Sequence, residues 1–313
     1  MQADHILLIG YGAPEKPEDV LPFLRGMTDG RNVSEEQLQT IAKHYEMIGS
    51  ASPYNDQVET FRKCLEKELR SIGIQVPVFV GMKNWHPFLE DVLAEIREKG
   101  FRNGVAVPLT PYRAASFGAG YKEKLGSILS KDSSAGLIYR FIEGWFDQKP
   151  FVDAQAEEIS RVLDTVPPEE RAGTPILFSF HALPVMRDPT NPIAAYPDEA
   201  RAASALVAAR LEHSKWSVVY QSRPVSAKIP WLGPDIADEI AGLAKKGGKR
   251  VLVAPLGFLC DHAEILYDLD QQAKASVESH GMQYLRSKTV LNHPKIAALL
   301  AMLIHREYSH THL

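Results

Sequence analysis

The chain of 313 residues is poor in cysteine, in charge of one sign and in long apolar runs. Cys64 and Cys260 are its only cysteines, which excludes a disulfide framework, a CxxC redox pair and an all-cysteine iron–sulfur cluster within one chain. Two reduced, buried thiols are expected instead. The net charge is −4, with no basic tract, so a nucleic-acid partner is not expected. No apolar run reaches the ~18–20 residues of a membrane span, and the N-terminus leads into a strand pattern without a signal-peptide layout. These absences together point to a cytoplasmic protein. Ligand signatures are missing as well. GYGAP after the first strand starts like GxGxxG, but Pro14 interrupts it, and there is no GxSxG, HExxH or Walker A sequence. Nucleotide-dependent and serine-hydrolase chemistry therefore have little support.

What is present, at 45% hydrophobic residues, suffices for a large core in one or two domains. Strand-like runs occur at His5–Gly10, Val76–Val80, Gly104–Leu109, Gly136–Phe141, Pro175–Phe180, Ser217–Gln221 and Arg250–Leu256. Helical patterns fall between most of them, at Pro87–Lys99, Phe117–Ser130, Phe151–Val162, Asp198–Leu211 and Asp235–Lys245. Such alternation predicts an α/β fold with doubly wound, parallel sheets. Glu15–Gly73 holds no strand pattern and reads as two or three inserted helices with a loop at Gly49–Tyr54. LLIGYGAP (Leu7–Pro14) parallels LFSFHALP (Leu177–Pro184), and KGFRNGVAVPL (Lys99–Leu109) parallels KGGKRVLVAPL (Lys246–Leu256). Matched elements in one order imply two similar domains from one ancestral unit. The expected division is 1–112 plus 285–313 for the first and 113–284 for the second. Tyr11 would then stand opposite His181 across an interdomain cleft, the default ligand site. The apolar stretch Pro294–Ile304 is expected to pack back on the first domain, leaving His310 and His312 in a solvated end.

The most informative stretch is Val251–Gln272. A buried-strand run passes into a helical pattern in which Asp261, Glu264 and Asp268 are spaced i, i+3, i+7, so that three carboxylates share one helical face. Open α/β sheets bind ligands at the carboxyl ends of their strands, which makes this stripe a candidate for cation handling or proton transfer. His181 follows the strand ILFSF at the same end. Imidazole accepts a proton near neutrality, and a carboxylate such as Glu264 would hold its tautomer. Together they also form a ligand set for a borderline divalent metal such as Fe²⁺. Trp231, between Pro230 and Leu232-Gly-Pro, is an aromatic plate on a rigid turn, suited to stacking on a flat ligand.

Taken together, SFHALP, PLGFLCDHAEILYDLD, YEMIGSASP, KNWHPF and QS…PWLGPDI resemble, in order and over nearly the whole chain, the sequence blocks of the ferrochelatase family. The similarity is greatest to its soluble, coproporphyrin-type members. The resemblance implies two Rossmann-like domains clasping a porphyrin, with catalysis by His181 and Glu264. Asp261 and Asp268 continue an acidic metal route, and Tyr11, Tyr45, Ser52, Tyr121 and Trp231 contact porphyrin. Fe²⁺ is a substrate, and neither a cofactor nor an iron–sulfur cluster is expected. The expected partners are porphyrin and iron alone, for a monomer without a membrane anchor. The chain departs from the family in several places. Gln272 replaces a glutamate, which puts a peripheral Mg²⁺ site in doubt. His44 replaces a propionate-pairing arginine, for which Arg25, Arg31 or Arg113 are candidates, and Lys83 stands where arginine is frequent.

The implied reaction is insertion of Fe²⁺ into coproporphyrin III, with protoporphyrin IX as the alternative substrate. His181 would be the base or the group that holds the metal, and Glu264 would relay protons or orient His181. Two rivals stand beside it: a non-catalytic porphyrin carrier on the same fold, and a Co²⁺ or Ni²⁺ chelatase for another tetrapyrrole.

Overall fold

The computed structural model describes residues 2–28, 33–113, 116–131, 136–186, 188, 190, 191, 193–223 and 229–308. His310 and His312 lie outside them, as does Arg31. The chain divides into two compact units, Met1–Trp145 with Leu291–Leu313, and Phe146–Val290.

The first unit holds the strands β1 (His5–Gly10), β2 (Val78–Met82), β3 (Asn103–Pro108) and β4 (Ile138–Phe141), all parallel, in the order β2-β1-β3-β4. The second holds β5 (Ile176–His181), β6 (Trp216–Gln221), β7 (Arg250–Ala254) and β8 (Gln283–Arg286), also parallel, in the order β6-β5-β7-β8. The two sheets share one topology, the structural form of the internal repeat: β1 corresponds to β5, and β3 to β7. Pairing of β4 with β3 carries residues 113–145 into the first unit, and pairing of β8 with β7 keeps Gln283–Arg286 in the second. β8 escapes the sequence pattern because it is short, and QYLR presents no buried residue.

The central strands β1 and β5 are the most apolar, as expected for parallel strands covered on both faces. β1 is buried throughout, and β5 from Ile176 to Phe180. In the first unit Leu7, Ile9 and Ala106 pack with Leu89, Leu93 and Ile96 of the helix Leu89–Glu98. Leu177, Val219, Val251 and Val253 in the second meet Ile265 and Leu269. The inserted segment forms helices Val20–Met27, Glu35–Met47 and Tyr54–Ser71, the last of which packs against the C-terminal helix Pro294–Tyr308 within the first unit. No helix among the described residues is long and apolar enough to cross a membrane.

Gly104 illustrates how side-chain size sets a strand. It lies in register with His5 on β1 and with Tyr139 on β4. His5 is fully buried, and its Nε2 is 2.8 Å from the Tyr139 hydroxyl. That bond can pass over β3 only because residue 104 has no side chain, since a Cβ there would collide with the Tyr139 ring and with Nε2 of His5. Gly104→Ala is expected to destabilise the protein by about 1–3 kcal/mol, the cost of overpacking, read as a lower urea midpoint with an unchanged m-value.

Candidate active site

The site is built where β5, β6 and β7 end. β5 runs on to β6 on one side, and the chain then returns to β7 on the other, so the space beyond β5 and β7 is the topological switch point of the sheet. His181 is the last residue of β5 and stands in register with Gln221, the last of β6. Beyond it the chain leaves the sheet: Pro184 forms a bridge with Trp231, and Leu232 N–H donates to the Leu183 carbonyl. On the other side the loop after β7 returns along β5, where Gly257 N–H donates to the Ser179 carbonyl at 3.0 Å. A side chain at 257 would press on the backbone and ring of Phe180. Glycine lets the loop lie close enough to deliver Glu264 beside His181.

His181 Nδ1 lies 2.5 Å from the Ala182 carbonyl oxygen. A carbonyl can only accept, so Nδ1 carries the hydrogen and Nε2 is left to face Glu264. Nε2 is 3.6 Å from Glu264 Oε2, within ion-pair reach but beyond a hydrogen bond. Burial disfavours the imidazolium, but the Glu264 carboxylate, with the Ala182 carbonyl and Asp268 behind it, outweighs burial and raises the His181 pKa. Burial likewise opposes ionisation of Glu264, yet the attraction of His181 prevails and holds its pKa down at about 2. The Glu264 side chain remains 43% exposed, so water screens part of that attraction. Asp268 behaves in the opposite way. Burial pushes it up to about 6 although it accepts a hydrogen bond from the Ser222 hydroxyl. Imidazole and carboxylates thus have affinities spread over several pH units, an arrangement that suits proton transfer near neutrality.

Glu264 is held by its backbone as well. Its N–H donates to His262 Nδ1 at 3.2 Å, and its carbonyl accepts from Gln221 Nε2 at 3.0 Å. Burial lowers the His262 pKa, which keeps the ring neutral and able to accept. Gln221 is itself buried and takes a hydrogen bond from Ser179 Oγ at 2.6 Å. Ser222 adopts φ 63°, in the left-handed region rarely used by non-glycine residues.

The acidic segment differs from the single helical stripe that its spacing suggests. Residues Ile265–Ala273 form a π-helix, and Asp261 precedes the helix altogether. The wider i→i+5 turns of a π-helix alter which residues share a face, and such turns recur at functional sites. The Gln221 amide reaching the Glu264 carbonyl is a donor from outside the helix ladder, one recognised cause of a local departure from α geometry. Asp261 turns to Arg286, 3.2 Å away. The structure therefore groups His181, Glu264 and Asp268, and ties Asp261 to a cation. Among the described residues, no three His, Cys, Asp or Glu side chains converge as a metal cage.

The remaining candidates are placed as follows. Trp231 is half-buried, and its indole N–H has no hydrogen-bond partner among the described residues. In the first unit, Tyr11 directly follows β1; its N–H donates to the Tyr54 hydroxyl, and its own hydroxyl donates to Met27 Sδ at 3.0 Å. Tyr45 is buried edge-on to Phe23, and Ser52 is buried beside the Tyr54 N–H. Tyr121 packs inside the core, its ring under Lys83 Nζ at 6.0 Å. Lys83, Asn84 and Trp85 line a cavity of about 430 Å³ with Pro22, Gly26 and Lys124. Arg25 pairs with Glu35, while Arg113 and Gln272 are exposed. Of the two thiols Cys260 is buried, but Cys64 is exposed on the helix Tyr54–Ser71, correcting the expectation of two buried thiols.

Sequence reasoning passed over four residues: Gln221, Ser222, His262 and Arg286. The first three stand inside recognised blocks, QS…PW and DHAE, where attention went to Trp231 and the carboxylates. Arg286 lies on the unrecognised strand β8, with no motif around it.

Comparison with known proteins identifies the family of the chain. The profile of the family described as Ferrochelatase matches residues 3–308. A protein of Leifsonia xyli subsp. xyli named coproporphyrin III ferrochelatase is 36% identical over 96% of this chain and 83% of its own length. One of the same name from Mycobacteroides abscessus is 33% identical over 97% and 88%. Among solved structures, SirB from Bacillus subtilis with Fe³⁺ superposes with a TM-score of 0.60 at 13% identity, covering 99% of this chain and 96% of SirB. That likeness concerns the fold. With a profile match from end to end and relatives above 30% identity along nearly the whole chain, the protein belongs to the ferrochelatase family of metal-inserting lyases.

Proposed function

We propose that the protein inserts Fe²⁺ into coproporphyrin III, with His181 and Glu264 as the pair that meets the reaction. The observation that carries this reading is the His181–Glu264 pair at the switch point, with Nε2 and Oε2 held 3.6 Å apart and the tautomer set by Ala182. Insertion exchanges two pyrrole N–H protons for one Fe²⁺, so the site must remove protons and tolerate a dication. Nε2 of His181 is the proton acceptor. Glu264 stabilises the imidazolium, and Asp268, with its affinity near pH 6, passes charge onward to solvent. Fe²⁺ is a substrate here, drawn to the same carboxylates. Tyr11, Tyr45, Ser52 and Trp231 are the proposed porphyrin contacts. Tyr121, buried in the core, would reach the macrocycle only through a shift of its neighbours. Coproporphyrin III is preferred because the relatives above 30% identity carry that substrate in their names.

The test is anaerobic Fe²⁺ insertion by the purified protein, followed as loss of porphyrin fluorescence with coproporphyrin III and protoporphyrin IX in parallel. Faster turnover of coproporphyrin III is expected. Preference for protoporphyrin IX overturns the substrate, and tight binding without insertion of any divalent metal overturns the enzyme in favour of a carrier.

A further inference from the structure

We propose that Arg286 is a positioning residue for Glu264: its guanidinium, reaching from the end of β8, staples the acidic segment on both sides of the reacting carboxylates. The proposal rests on the chelatase reading of His181 and Glu264. Arg286 Nε lies 2.6 Å from Asp270 Oδ1 and Nη2 lies 3.0 Å from Asp270 Oδ2, a bidentate fork. Its remaining nitrogen, Nη1, reaches Asp261 Oδ1 at 3.2 Å and the Ser287 carbonyl at 3.2 Å. Thr289 Oγ1 stands 3.4 Å from the same Asp261 oxygen. The Arg286 side chain is only 17% exposed, and those of Asp261 and Asp270 are 25% and 27% exposed.

Position in the chain gives this cluster its meaning. Asp261 precedes the helix that carries Glu264, and Asp270 lies in the π-helix two residues beyond Asp268. One guanidinium thus grips the segment before and after both reacting carboxylates. The π-helix has weaker intrinsic support than an α-helix and survives where tertiary contacts hold it. Gln221 and His262 hold the backbone of Glu264 directly, whereas Arg286 fixes the ends of the segment between which that backbone runs. Asp261 and Asp270 accordingly act as anchors for the guanidinium rather than as stations for iron. Lysine cannot replace arginine here, because an ammonium has no fork with which to hold Asp270 while reaching Asp261.

Arg286→Lys and Asp270→Asn in the full chain test the proposal. Each removes the fork while leaving part of the charge pair, which guards against loss of the fold. Hydrogen exchange is expected to accelerate in peptides covering 261–274 and to stay unchanged in β5 and β7. The kcat for Fe²⁺ insertion should fall roughly tenfold to a hundredfold, the range for residues that orient an active group, with the KM for porphyrin unchanged. A merely structural role would speed exchange across the second unit and lower activity only through loss of folded protein. Full kcat despite faster local exchange, or unchanged exchange in 261–274, overturns the positioning role. If the wild type inserts no metal, the chelatase reading falls, while the exchange measurement still decides whether Arg286 holds the segment.

Discussion

His181→Ala is expected to bind coproporphyrin III nearly as tightly as the wild type and to insert iron roughly 10²–10⁴-fold more slowly, the range for a lost general base. The separation follows from where the side chain sits. His181 is the last residue of β5, and its ring meets the Ala182 carbonyl and the Glu264 carboxylate. The apolar packing of β5 rests on Ile176, Leu177, Phe178 and Phe180, all fully buried and left in place by the substitution. Porphyrin affinity comes from contact with a large flat surface, to which one imidazole adds little. The N–H protons, by contrast, have nowhere to go without an acceptor at Nε2. Fluorescence quenching on binding and the single-turnover rate of iron insertion, measured on the same sample, separate the two. Loss of binding with residual turnover would make His181 a porphyrin contact instead.

Glu264→Gln should lower the insertion rate nearly as far, and it carries a signature in pH. In the wild type, burial tends to lower the His181 pKa and the Glu264 carboxylate raises it above its ordinary value. The imidazole must be neutral to accept a proton, so the rate climbs as pH rises through that raised pKa. Removing the charge of Glu264 leaves burial in command, and the pKa of His181 falls. The acid limb of kcat then moves to lower pH while the plateau drops. Asp268, pushed up to about 6, interacts with both His181 and Glu264, so the observed values belong to the coupled set of the three groups. Asp268→Asn alone should remove some negative charge and move the limb in the same direction, by less. A profile that keeps its acid limb in Glu264→Gln would show that Glu264 does not govern the proton affinity of His181.

Most strands were legible because they are local patterns. The runs at His5–Gly10 and Ser217–Gln221 reappear as β1 and β6 within one residue. The repeated LLIGYGAP and LFSFHALP predicted two like halves, and the sheets show one strand order twice. β8 was not legible, since its four residues include no buried one and only pairing with β7 makes them a strand. Likewise, i, i+3, i+7 spacing describes an α-helix, and nothing in ILYDLDQQA announces a π-helix.

By itself the sequence determined the α/β class, the duplicated plan, and a histidine and an acidic segment at strand ends, because hydrophobic period and strand–turn order are written residue by residue. Only the tertiary structure decided which carboxylate faces His181. Glu264 is brought to it with the help of Gly257, Gln221 and His262, and Asp261 is paired with Arg286. The physical reason is that a carboxylate's role depends on its nearest cation and its access to water. Both are set by strands distant in sequence that spacing along the chain cannot encode.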